Sequence, residues 1–133
     1  MPTAAETIAY SLERVAALAG DPAPLVYARL FAAHPEMEAL FVRDVSRAVR
    51  GHMLATAIDN ILDLTGGDRS ATTLLQAERI NHENLGVPPD VFPAFFRAVV
   101  ETFRDVLGEE WTPQLAAAWN GVLDRLELAL AAP

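Results

Sequence analysis

The stretch that decides the fold runs from Leu74 to Phe92 and reads LLQAERINHENLGVPPDVF. A helical run ends near its centre, His82, because Gly86 follows and Pro88-Pro89 opens the next helix. Neutral imidazole is a strong ligand for iron and other transition metals. A lone histidine at a helix end is more often a surface or core residue that the helix dipole stabilises. The role of His82 therefore depends on the pattern around it.

The composition indicates one all-helical domain spanning residues 1–133. The chain is 52% hydrophobic, rich in Ala and Leu, and long enough for a real core. It contains no cysteine, which excludes disulfides and thiolate chemistry. A net charge of −8 disfavours nucleic-acid binding. We expect no membrane span and no export signal, so a cytoplasmic protein is the default.

Helical periodicity and stop signals predict about seven helices. Thr3 and Glu6 form a capping box that starts the first helix, which ends near Ala19. The remaining predicted segments begin near Pro24, Pro35, Val45, Ser70, Pro88 and Thr112, and Gly108 closes the helix that begins near Pro88. A plain helical bundle would fit this periodicity almost as well as a pack of crossing helices around a pocket.

The order and spacing of short motifs resemble the globin family, in particular bacterial single-domain globins and the haem domains of flavohaemoglobins. The matching segments are Val26–Phe31, His34-Pro35-Glu36, Leu40-Phe41, His82-(x)3-Gly86-Val87-Pro-Pro-(x)2-Phe92, Leu107-Gly108, Trp111-Thr112-Pro113 and Ala118-Trp119. The resemblance covers nearly the whole chain and implies a globin-like fold that encloses a haem b group.

The resemblance implies roles for three residues. His82 corresponds to the proximal iron ligand, and its second ring nitrogen should donate to a backbone carbonyl one turn back. Phe41 corresponds to the Phe that stacks on the porphyrin, although an ordinary core Phe would give the same pattern. Tyr27 corresponds to the distal Tyr whose phenol hydrogen-bonds a gas ligand, unless it is a half-buried Tyr with a solvated hydroxyl.

The distal helix allows two registers. In the preferred one Leu54 overhangs the iron, Ile58 continues the same arc, and Arg50 occupies the place usually held by Gln or His. Arg50 then binds a ligand, pairs with a propionate or points into solvent. A shift of one residue puts Met53 over the iron and Val49 at the gate.

Four further residues are expected to line the cofactor, namely Leu30, Val87, Phe92 and Phe96. His34 and His52 are expected to be non-ligands, with His52 on the outer face of its helix. The chain departs from flavohaemoglobins at Phe92, where the family has Tyr, and it ends before the family's late Glu. Glu78 occupies a place where an apolar haem contact is expected.

These features favour a protein that reversibly binds oxygen or another diatomic gas, such as nitric oxide or carbon monoxide. Nitric oxide dioxygenation or nitrite reduction fed by an external reductase is the enzymatic alternative. A sensor or interaction module is the third. The expected oligomeric state is a monomer or a homodimer.

Overall fold

The computed structural model describes residues 2–67 and 70–131. Its elements, in chain order, are the α-helices α1 (Ala4–Ala19), α2 (Ala23–Ala33), α3 (Ala48–Thr65), α4 (Ser70–Asn84), α5 (Val91–Leu107) and α6 (Pro113–Ala131), with 3₁₀ helices at Pro35–Phe41 and Gly108–Glu110. No strand occurs within these ranges. The prediction of an all-helical fold is confirmed.

Several helix ends lie where their sequence signals predicted them. The Thr3 hydroxyl accepts a hydrogen bond from the Glu6 amide at 3.1 Å, and the Glu6 carboxylate accepts one from the Thr3 amide at 3.3 Å. Gly20 and Gly108 end α1 and α5 with positive φ angles of 67° and 53°, which residues with a Cβ rarely adopt. Local chemistry is therefore enough to define these boundaries.

Helix α3 begins three residues later than predicted, at Ala48 rather than Val45. The Asp44 carboxylate accepts hydrogen bonds from the amides of Val49 and Arg50, at 3.1 and 3.0 Å. Arg47 precedes the helix in the left-handed conformation, with φ of 64°. The chain thus forms a compact turn around Asp44 before the helix starts, and this turn lies at the edge of the cavity described below.

The core is built around α5, which packs against α1, α2 and α6. Phe103 and Trp119 are fully buried with ring centroids 5.6 Å apart, and the Trp119 indole donates a hydrogen bond to the Ser11 hydroxyl at 3.0 Å. Helices α3 and α4 pack against each other and against α6. Among the described residues, no helix combines the length and the apolar character needed to cross a membrane.

Candidate functional site

A cavity of about 640 Å³ opens between α3 and α4 and is closed from behind by α2, α5 and the 3₁₀ segment Pro35–Phe41. This volume lies within the ordinary range for sites that hold a small molecule or cofactor. Its lining is mostly apolar, with a few polar side chains. The lining residues are Tyr27, Leu30, Met37, Leu40, Phe41, Arg43, Asp44, Val49, His52, Met53, Thr56, Ala57, Asn60, Leu75, Glu78, His82, Leu85, Val87, Val91, Phe92, Phe95 and Phe96.

His82 stands on α4 at the wall of this cavity. Its Nδ1 lies 2.6 Å from the carbonyl oxygen of Glu78, one turn earlier. A carbonyl oxygen only accepts, so Nδ1 carries the proton and Nε2 keeps its lone pair. Because the two nitrogens lie on opposite sides of the ring, this bond turns the lone pair away from the helix backbone. The predicted backbone hydrogen bond is therefore present.

The ring of His82 is held on a second side by Phe92, whose centroid lies 5.0 Å away in an edge-on arrangement. Beyond His82 the chain turns sharply: the Val87 amide donates to the His82 carbonyl at 2.9 Å, and Gly86 takes a φ of 98°. Such a φ requires a residue without a Cβ, which explains the glycine at this place. The turn brings Val87 and the start of α5 against the same cavity.

Tyr27 enters the cavity from α2 and is 2% exposed. Its hydroxyl is buried and has no hydrogen-bond partner. Burial raises the pKa of this phenol well above its usual value, so it remains a proton donor across the ordinary pH range. A buried donor without an acceptor costs about 1–3 kcal/mol. A ligand that offers an acceptor in the cavity would remove that cost.

The ring of Tyr27 belongs to an aromatic cluster. Phe41 and Phe95 each lie 5.5 Å from it, centroid to centroid, and Phe31 lies 5.8 Å away. Phe41 and Phe95 also line the cavity. The cluster holds the phenol in one orientation, because interlocked rings leave it little freedom to rotate.

On α3, the residues that face the cavity include Met53 and Val49, as in the alternative register. Six residues line it, at spacings of one helical face: Val49, His52, Met53, Thr56, Ala57 and Asn60. Leu54 is 3% exposed and Ile58 is partly buried, but neither lines the cavity. The preferred register differs from the structure because the more apolar arc of α3 packs against neighbouring helices. His52 is exposed, as expected for the outer face of its helix, and it also lines the cavity.

Arg50 does not line this cavity either. Its guanidinium carbon lies 5.3 Å from the centroid of Phe41 and 5.7 Å from that of Phe31, and its Nη2 is 3.4 Å from the Phe41 carbonyl. Its Nε lies 3.8 Å from the Asp44 carboxylate. The side chain lines a second cavity of about 260 Å³, which Tyr27 and Phe31 also line. The Arg50 side chain is 13% exposed, so it packs against the Phe41 ring and does not extend into solvent.

The structure thus brings seven of the ten predicted site residues to one cavity, namely Tyr27, Leu30, Phe41, His82, Val87, Phe92 and Phe96. Sequence reasoning placed Glu78 at a cofactor-contact position, and Glu78 does line the cavity. It missed Leu75 and Leu85, although their spacing relative to His82 (i−7 and i+3) already places them on the same side of the chain. It also missed Met37, in the 3₁₀ segment, and Asp44, in the turn before α3, because neither segment carries a periodic signal.

The residues present fit a haem. A haem needs an apolar slot, one strong axial ligand and room on the opposite side, and His82 supplies one imidazole lone pair at an apolar cavity. Within residues 2–67 and 70–131 no three His, Cys, Asp or Glu side chains gather into a metal site. A single histidine suits an iron that a macrocycle already holds in its plane. The unpartnered phenol of Tyr27 suits a polar ligand in the same cavity.

Comparison with known proteins places the chain in a family. The model described as Globin matches residues 25–130. The chain is 28% identical to a flavohemoprotein of Rhizobium meliloti (strain 1021) over 94 residues, which are 70% of this chain and 23% of that protein. It is 24% identical to the Globin-2 A chain of Anadara inaequivalvis over 115 residues, which are 80% of this chain and 77% of that protein.

The matched part therefore spans about a quarter of the flavohemoprotein and most of the Globin-2 A chain. The family match covers well over half of this chain and includes every cavity helix in whole or large part. The family match agrees with the all-helical fold and with an apolar cavity that has His82 in its wall. Membership of the family implies a haem cofactor and haem-based binding of diatomic gases. The chain belongs to the globin family.

Proposed function

We propose that residues 1–133 form one globin domain of the bacterial type, which holds haem b through His82 and reversibly binds oxygen or another diatomic gas. The observation that carries the proposal is the His82 imidazole, whose Nδ1 proton is committed to the Glu78 carbonyl at 2.6 Å. Its Nε2 lone pair is thereby left for a metal at the cavity wall. When bound, haem supplies an iron with one further position for a gas.

The chain's own residues supply orientation, exclusion of water and one proton donor. Phe41, Phe92 and Phe96 line the cavity and present an apolar surface suited to a flat macrocycle. Met53 and Val49 stand on α3, opposite the helix that carries His82. In this proposal they take the distal positions, and Leu54, Ile58 and Arg50 support the site from outside. Tyr27 donates a hydrogen bond to a ligand that carries partial negative charge.

The aromatic ring that packs on His82 favours reversible binding over oxidative turnover. The aromatic ring beside the imidazole is Phe92, at 5.0 Å, which has no hydroxyl to join a hydrogen-bond network. Nitric oxide dioxygenation or nitrite reduction with an external reductase is the second candidate, which the likeness to a flavohemoprotein supports. A cytoplasmic location, as a monomer or homodimer, completes the proposal.

The direct test is to add hemin to the purified protein and record visible spectra in the ferric and ferrous forms, with and without oxygen and carbon monoxide. We expect stoichiometric uptake and an oxygen spectrum that reverses on removing the gas. A protein that takes up no hemin would contradict the proposal. Fast, sustained conversion of nitric oxide to nitrate in the presence of a reductase would favour the second candidate instead.

A further inference from the structure

One residue, Glu78, offers the imidazole of His82 two oxygen acceptors. Nδ1 of His82 lies 2.6 Å from the Glu78 carbonyl oxygen and 3.9 Å from its carboxylate Oε2. Positions i and i+4 lie above one another on a helix, so both oxygens face the same ring nitrogen. A shift of about 1 Å in this long side chain would bring the carboxylate to the distance of a charge-assisted hydrogen bond.

The side chain of Glu78 lines the cavity and is also partly open to solvent. Glu78 lines the cavity beside His82, and its side chain is 45% exposed. The adjacent cation, Arg79, is directed elsewhere: its guanidinium donates to the Leu130 carbonyl and lies 3.9 Å from the Glu83 carboxylate. The Nδ1–H of His82 is therefore a nearby hydrogen-bond donor toward which the Glu78 carboxylate can turn.

We propose that Glu78 is a positioning residue for the proximal imidazole, because its carboxylate and its own backbone carbonyl share the Nδ1 proton of His82. This inference rests on the proposed function, since it concerns His82 as a haem ligand. A carboxylate partner makes a ligating imidazole more basic than a neutral carbonyl does. The stronger donor stabilises ferric over ferrous iron, so Glu78 lowers the midpoint potential.

The test compares Glu78→Gln with a matched control, Glu83→Gln, in the haem-loaded protein. Both substitutions remove one carboxylate from α4 within four residues of His82, but the Glu83 carboxylate pairs with Arg79. The readouts are the midpoint potential and the iron–histidine stretching frequency of the ferrous form, which reports imidazole basicity. We expect Glu78→Gln to lower the frequency and shift the ferric-to-ferrous equilibrium about tenfold toward ferrous, about 59 mV for one electron.

Glu83→Gln is expected to leave both readouts at the wild-type values. Equal shifts in the two variants would overturn the proposal, because they would reflect net charge alone, and so would an unchanged Glu78→Gln. Glu78→Asp keeps the charge but shortens its reach, and should give an intermediate stretching frequency. A wild-type frequency in Glu78→Asp would also contradict the hydrogen bond. The proposed function is tested separately, because haem uptake that depends on His82 would uphold it whatever Glu78 does.

Discussion

Replacing Tyr27 by phenylalanine tests the distal side of the cavity most sharply. The substitution removes one hydroxyl and keeps the ring that packs against Phe41 and Phe95 at 5.5 Å. In the protein without ligand that hydroxyl is buried and unpartnered, so its loss should leave the free energy of unfolding unchanged or raise it by up to about 1–3 kcal/mol. The same hydroxyl should stabilise a gas ligand that carries partial negative charge.

The expected kinetic effect follows from the strength of such a bond. A hydrogen bond to a charged partner contributes about 1.5–3 kcal/mol, and each 1.36 kcal/mol is a factor of ten. Oxygen should therefore leave the Tyr27→Phe variant roughly 10 to 150 times faster than the wild type. Carbon monoxide carries little charge, so its release should change by less than about threefold. Stopped-flow displacement of each gas measures both rates.

The matched control is Tyr10→Phe, because Tyr10 is 55% exposed on α1 and does not line the cavity. It should release both gases at the wild-type rates. An oxygen release rate in Tyr27→Phe within twofold of the wild type would refute the assignment of the phenol as a ligand donor. A loss of more than about 1 kcal/mol in the stability of the unliganded variant would show that the hydroxyl already has a partner.

The same phenol predicts a pH dependence of stability. Burial raises the pKa of Tyr27 in the folded state above the unfolded value near 10. The folded protein therefore keeps a proton that the unfolded chain releases, and stability should fall as the pH rises above about 10. The contribution of this group is about 1.4 kcal/mol per pH unit, and it should be absent from Tyr27→Phe in alkaline urea denaturation.

Three substitutions on α3 give further predictions. Arg50→Ala should leave the cyanide affinity of the ferric protein within about twofold of the wild type, because Arg50 faces the second cavity. The variant should lose about 1–2 kcal/mol of stability, because the contact with Phe41 is lost. A tenfold loss of cyanide affinity in a spectroscopic titration would place the guanidinium in the larger cavity. Met53→Phe should slow carbon monoxide binding at least severalfold in flash photolysis. Leu54→Ala should instead cost about 2–5 kcal/mol of stability with little change in the rate of carbon monoxide binding. If Leu54→Ala changed that rate and Met53→Phe did not, the register with Leu54 over the iron would be favoured.

Features that depend on local chemistry could be predicted from the sequence. The capping box of Thr3 and Glu6 and the stop at Gly108 each need only a few neighbouring residues, and they form as expected. The hydrogen bond from His82 to the carbonyl one turn back was expected from the ligand role that the resemblance implies, and it is present. Phe41 and Tyr27 were assigned by resemblance and lie together at the cavity.

Features that depend on distant contacts could not be predicted. The arc of α3 that carries Leu54 and Ile58 is apolar because it packs against other helices, whereas the face toward the cavity includes His52 and Thr56. A cavity wall with polar members looks like an outer face in the sequence. Apolar periodicity therefore identified the side buried by protein instead of the side that lines the cavity.

The place of Arg50 was missed for the same kind of reason. Its orientation depends on the rings of Phe31 and Phe41 and on the turn around Asp44, which delays the start of α3. No spacing rule links residues from a helix, a 3₁₀ segment and a loop. The three possibilities for Arg50 could be separated only once the three-dimensional contacts were known.

The central claim, that His82 holds the iron, is tested most directly by the visible spectrum of haem-loaded His82→Gly in the ferrous form, recorded before and after adding free imidazole. The wild type should show a five-coordinate, histidine-ligated ferrous spectrum. The variant should lose it, and imidazole should restore it by filling the space beside Phe92. A variant that keeps the wild-type ferrous spectrum and carbon monoxide complex without added imidazole would contradict the account.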